Sequence, residues 1–223
     1  MKKAISLFVL LSAILTMSFL PVKKISVIFF GDSITQMGVQ PHGYVTLTDS
    51  LLNPKGGGNY EVSGAGISGN KVYDLYLRMD DDVISKSPDI VVVWVGVNDV
   101  WHKKMGTGTD ADKFEKFYLA IIKKLKAAHA KVIICTPSTI GEKNDYSNEQ
   151  DGDLNKYSNI IRKIAADQKV GLVDLRKEFE DYEKEHNSNN VEKGILTVDG
   201  VHLNEQGNRF VANLMAEVIK KGH

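Results

Sequence analysis

The run Pro88-Asp89-Ile90-Val91-Val92-Val93-Trp94-Val95-Gly96 restricts the folds open to this chain more than any other stretch. Its apolar residues, mostly β-branched, follow one another without a polar interruption. A strand of that kind is buried on both faces, which places it inside a parallel sheet with helices above and below. Lys24–Phe30, Lys131–Cys135 and Val170–Leu175 have a similar character, and Asn59–Ser63 reads as a shorter strand. The segments between them carry helical spacing. Gly43–Leu52 puts Tyr44, Leu47 and Leu51 on one face, and Val72–Met79 does the same with Val72, Leu75 and Tyr76. A long helix, capped by Thr109 or Asp110 and running to about His129, has Phe114, Phe117, Tyr118, Ile121, Ile122 and Leu125 as its stripe. Leu154, Tyr157, Ile160, Ile161 and Ile164 mark another helix. A charged helix spans about Arg176–His186, and the last helix buries Phe210, Val211, Leu214, Met215 and Val218. Strands alternating with helices predict one α/β domain with a parallel sheet between helical layers.

The 223-residue chain carries no formal net charge, so nothing points to nucleic acid or to electrostatic attraction by a membrane. The single cysteine, Cys135, excludes an internal disulfide and a Cys-rich metal site. It sits in an apolar run and reads as a small buried hydrophobe. No His-Glu-x-x-His or similar ligand spacing occurs, so neither a metal nor another cofactor is expected. The start of the chain differs from the rest. Met1-Lys2-Lys3 is basic, and Ala4–Leu20 is uncharged and strongly apolar. This pattern reads as a signal peptide over residues 1–20, or as an uncleaved N-terminal anchor, ahead of a domain over 21–223. The expected location is therefore secreted or periplasmic, with membrane contact only if the segment stays attached. The oligomeric state is not legible.

Ligand sites in parallel α/β sheets form beyond the carboxyl ends of the strands. Ser33, in Gly31-Asp32-Ser33, follows the first strand, and Asn98, in Gly96-Val97-Asn98-Asp99, follows the third. Asp199-Gly200-Val201-His202 lies far down the chain. Asp199 and His202 are spaced to share one side of a helical turn, where the carboxylate would orient the imidazole toward Ser33. Gly64-Ala65-Gly66-Ile67-Ser68-Gly69 matches the dinucleotide fingerprint by letter. It follows the second strand rather than the first, and the next strand brings no acidic residue at the required distance. A tight turn, or a backbone N–H aimed into a site, explains the glycines better. Asp32 and Asp99 read as caps of the segments that follow them. Asp174, after a strand, is a rival for the acid role.

These residues carry a resemblance. Gly31-Asp32-Ser33, a glycine at 66, Gly96-x-Asn98-Asp99 and Asp199-x-x-His202 resemble the four blocks of the SGNH (GDSL-type) serine hydrolase family, in order and spacing, from Lys24 to about Lys220. One departure is Gly64, where the family often has Asn. The resemblance implies a flavodoxin-like three-layer α/β/α sandwich on a five-stranded parallel sheet. It implies Ser33 as nucleophile, His202 as base and Asp199 as its partner, with an oxyanion hole from the Ser33 and Gly66 N–H groups and the Asn98 amide. Trp101 and His102, just after the Asn98 block, are candidates for lining the substrate pocket. The implied activity is hydrolysis of carboxylic esters through an acyl-enzyme. Short acyl, acetyl, esters of carbohydrates or small alcohols are the expected substrates. Lysophospholipase, thioesterase or O-acetyl transfer chemistry would use the same residues, and a non-catalytic binding protein is the reading from another class.

Overall fold

The computed structural model describes residues 23–221. The proposed leader over 1–20 lies outside the described residues. A five-stranded parallel sheet has the order β2-β1-β3-β4-β5. The strands are β1 (Ile25–Gly31), β2 (Tyr60–Gly66), β3 (Ile90–Trp94), β4 (Lys131–Cys135) and β5 (Gly171–Val173). The eight helices among the described residues are α1 (Ser33–Gly38), α2 (Tyr44–Leu52), α3 (Val72–Asp82), α4 (Val97–Trp101), α5 (Ala111–Ala127), α6 (Asp151–Gln168), α7 (Leu175–His186) and α8 (Glu205–Lys221).

Strand alternation sorts the helices into two layers. Ile28, Phe30, Val91, Val93 and Ile134 face α3, α5 and α6. Val27, Phe29, Val92, Trp94 and Ile133 face α2, α7 and α8. Every residue of β3 is buried, as the unbroken apolar run requires. Tyr44, Tyr118 and Tyr157 are among the largest fully buried side chains. Cys135 is buried as expected, and burial pushes its thiol far above the ordinary range.

The structure moves several boundaries. β2 continues through Gly64 and Ala65 to Gly66, in register with Phe29, Phe30 and Gly31 of β1. The glycines there are ladder residues held by their backbone, not a loop. β5 is shorter than expected, because Asp174 leaves the sheet and caps α7. Two short helices, α1 and α4, open at the carboxyl ends of β1 and β3 where the sequence suggested only turns.

Candidate active site

β1 ends at Gly31, and Asp32 starts α1 by accepting the Ile34 N–H at 3.0 Å. That cap is the role expected of Asp32. Burial pushes its carboxyl up to about 7, against the Ile34 hydrogen bond and with a further upward contribution from the charge of Asp99. Ser33 is therefore the first residue of a helix at the rim of the sheet, and it is nearly buried. The helix is pinned from below, since Thr35 and Tyr44 share a hydroxyl–hydroxyl hydrogen bond of 2.9 Å.

The Ser33 Oγ lies 2.9 Å from His202 Nε2, across 169 positions of chain. His202 Nδ1 lies 2.7 Å from Asp199 Oδ2. The other carboxylate oxygen, Oδ1, accepts the Val201 N–H at 3.0 Å and the His202 N–H at 2.8 Å. The expected helical turn is absent. The segment is a bend in which Gly200 takes φ +94, a conformation that glycine adopts without strain. The bend is closed by an antiparallel bridge between Thr197 and Leu203. Partial burial raises the Asp199 pKa, but the hydrogen bonds from the His202 ring, the His202 N–H and the Val201 N–H outweigh it. The carboxyl is held below its usual range. An ionised Asp199 at Nδ1 fixes the tautomer that leaves Nε2 free to accept the serine proton.

The bend is braced by a residue that carried no signal in the sequence. Glu142, fully buried, lies in the loop after β4. Its Oε1 accepts the Leu196 N–H at 2.6 Å and the Thr197 N–H at 2.8 Å. Its Oε2 accepts the Ile195 N–H at 2.8 Å. The backbone adds a Gly141 N–H bond to the Gly200 carbonyl at 2.8 Å.

On the other side of Ser33, Gly66 meets the first turn of α1 backbone to backbone. A Cβ on Gly66 would lie 2.1 Å from Gln36 N and 2.7 Å from Asp32 O. The next N–H, of Ile67, goes to the Gly31 carbonyl at 3.3 Å. Alternation along the strand therefore turns the Gly66 N–H away from β1. The chain then turns through Gly69 at φ +77. Asn98, in the first turn of α4 and buried, donates one amide hydrogen to the Asn70 carbonyl at 3.0 Å. Asn98 thus hangs on the same glycine turn. Asp99 does not cap its own helix. Its carboxylate receives the Val72 N–H at the start of α3, at 3.3 and 3.2 Å. Burial pushes it up to about 6.

The Trp101 ring stands 6.3 Å from the His202 ring, edge to face. His102 packs at 6.0 Å on Trp101, and its pKa is lowered by burial and by the charge of Lys71. A groove of about 400 Å³ runs past Trp101 and Asp199, lined by polar side chains including Lys104, Asn148, Glu149 and Glu192. Asp174, the rival acid, is elsewhere. Arg162 binds it at 2.7 and 2.8 Å, and Thr136 donates to it at 3.1 Å. No cluster of three metal-ligating side chains occurs among the described residues.

The model of the GDSL-like lipase/acylhydrolase family matches residues 29–210, a span that takes in the Ser33, Asn98 and His202 segments. The chain belongs to this family. This GDSL-like protein is a carboxylic ester hydrolase. It is 62% identical to a crystal structure described as the acetyl xylan esterase AlAXEase, covering 87% of this chain and 100% of that one, with a TM-score of 0.86. An acetylxylan esterase of Geobacillus stearothermophilus is 29% identical over 207 residues, which cover 83% of this chain and 89% of the relative. The uncharacterized lipoprotein YqeF of Bacillus subtilis (strain 168) is 26% identical over 207 residues, covering 83% and 85%. Solved structures of Axe2, an acetylxylan esterase of Geobacillus stearothermophilus, include catalytic mutants in which a serine, an aspartate and a histidine are replaced.

Proposed function

We propose that this GDSL-like hydrolase removes acetyl groups from the hydroxyls of a xylan-type polysaccharide or its oligosaccharides. The relay from Ser33 Oγ to His202 Nε2 (2.9 Å), and on from Nδ1 to Asp199 (2.7 Å), carries this reading. Ser33 Oγ would attack the acetyl carbonyl carbon while His202 Nε2 takes the hydroxyl proton. The carbonyl oxygen becomes an oxyanion. It would be held by the Ser33 N–H, the second hydrogen of the Asn98 amide and a backbone N–H of the Gly66–Gly69 turn. Collapse breaks the bond to the sugar oxygen, which leaves with the proton from His202. Water, deprotonated by His202, then attacks the acetyl-serine, releasing acetate and restoring the hydroxyl. The polar groove beyond Asp199, with Trp101 at its edge, suits the carbohydrate side of the ester. His102, behind Trp101, would support that ring. The names of the relatives support the acetylated carbohydrate as substrate. We also assign residues 1–20 to an export leader, which N-terminal sequencing of protein recovered from the medium would test.

The deciding measurement pairs acetate release from acetylated xylooligosaccharides with a chain-length series of p-nitrophenyl esters, using Ser33→Ala as control. Activity confined to acetyl and other very short esters, and lost in the variant, is expected. A preference for long acyl chains, or full activity in Ser33→Ala, would defeat the assignment.

A further inference from the structure

One side chain outside the relay touches the backbone on which the proposed oxyanion donors are mounted. Arg78 lies on α3, partly buried, with its guanidinium 4.6 Å from the Phe30 ring centroid. Its Nη2 donates to the Gly31 carbonyl at 2.8 Å and to the Ala65 carbonyl at 3.0 Å. Its Nε donates to Asn70 Oδ1 at 2.7 Å, and its Nη1 to Asp82 at 2.6 Å. The Gly31 carbonyl is the last of β1 before Asp32 and Ser33. Ala65, next to last in β2, and Asn70 flank the Gly66–Gly69 segment, and the Asn70 carbonyl receives the Asn98 amide. One planar group thus ties the Ser33 turn to both flanks of the turn that Asn98 hangs on. Asp82, a turn further along α3, fixes the group itself.

We propose that Arg78 is a positioning residue for ester hydrolysis, a clamp that sets the spacing between the Ser33 N–H, the glycine turn and the Asn98 amide. It touches no reacting atom. It acts by holding two backbone carbonyls, of Gly31 and Ala65, and the Asn70 side chain at distances that only a rigid fork can span together, which a lysine ammonium at the same place cannot do. The effect falls on the transition state, because donors aimed at an oxyanion matter little to a substrate carbonyl that has not yet gained charge. The inference rests on the site assignment above and adds to it.

The test is a kinetic cycle on the full chain with a p-nitrophenyl acetate substrate, each rate divided by the fraction of sites titratable with an organophosphonate. Arg78→Lys is expected to lower kcat about tenfold to hundredfold with KM within about twofold, the size of effect that a misplaced group produces. In an Asn98→Ala background the same change should cost several-fold less than in the parent, because one of the three donors that the clamp spaces is already gone. A merely structural arginine would lower the titratable fraction and leave the per-site kcat intact. The proposal is overturned if per-site kcat in Arg78→Lys stays within about twofold of the parent, or if the two losses multiply in the double variant. Asn70→Ala removes only the Nε acceptor and keeps the carbonyl that Asn98 uses. If Arg78→Lys does not fold, a kcat loss in Asn70→Ala that shrinks beside Asn98→Ala upholds the clamp, and an unchanged kcat removes it. Asn98→Ala with full kcat would instead bring down the site assignment, and the clamp with it.

Discussion

Replacing Glu142 by glutamine tests whether the bend that carries Asp199 and His202 is held from beneath. The wild-type carboxylate accepts three backbone N–H groups, two on Oε1 and one on Oε2, and is fully buried. The amide of glutamine has the same shape, and its oxygen can keep the Leu196 and Thr197 pair. Its NH2 must then face the Ile195 N–H, donor against donor. One charge-assisted hydrogen bond is lost and two are weakened, a cost of about 2–4 kcal/mol. For a chain of this size each kcal/mol shifts Tm by about 2–4 °C, so a fall of roughly 5–15 °C is expected. Residues 195–197 lead directly into Asp199, so kcat should fall even at temperatures where the variant is fully folded. Thermal unfolding followed by circular dichroism, and kcat on a short ester well below Tm, measure the two effects. A Tm within about 1 °C of the parent would refute the brace, because burying one orphaned donor and weakening two further bonds is not that inexpensive.

Other expectations follow from buried groups. Glu183 is 3% exposed, and its Oε1 has no hydrogen-bond partner. Burial first, and the charge of Glu142 second, push its pKa from 4.5 up to about 8. The folded chain therefore keeps a proton that the unfolded chain has lost. The stability this lends is complete below about pH 4 and drains away as pH climbs through about 8. Glu183→Gln mimics the protonated acid, so it should match the parent in urea unfolding at pH 4–5 and exceed it by a few kcal/mol at pH 9. Parallel loss of stability in both proteins would exclude this. Gly66→Ala places a methyl 2.1 Å from Gln36 N in the turn behind Ser33, so it should lower kcat together with Tm. Unchanged kinetics would show that α1 can give way without disturbing Ser33.

Long-range order was easier to read from the residues than local order. β1, β3 and β4 were plain because a strand apolar on both faces has few alternatives. Gly64 and Gly66 lower strand propensity, which ends the expected β2 at Ser63, yet pairing with β1 carries them as backbone. The Ser33, Asp199 and His202 grouping was legible because Gly31-Asp32-Ser33, Gly66, Gly96-x-Asn98-Asp99 and Asp199-x-x-His202 stand in the chain as four blocks in the family's order. Its local conformation was misjudged. Three positions between Asp199 and His202 suit a helix, but Gly200 at positive φ makes a bend that brings the same two side chains together. Helices α1 and α4 have too few residues to show a period. Glu142 and Arg78 were missed for another reason. Each is a single charge among many, one in a polar loop and one on a helix face, and only the backbone groups they meet give them meaning.

The Ser33–His202 hydrogen bond spans 169 positions, and the Tyr44 N–H donates to Asn208 Oδ1 at 2.8 Å across 164 positions. The two ends of the domain are thus fastened at the place where the chemistry is proposed to occur. Contacts of such high sequence separation close late, since the loop entropy must be spent before they form. Hydrolytic activity is then a reporter of complete folding. During refolding it should return no earlier than the docking of α8 on α2, after most helical signal has recovered. On the proposed assignment, a nascent chain cannot begin to hydrolyse until the segment carrying His202 has left the ribosome and reached Ser33.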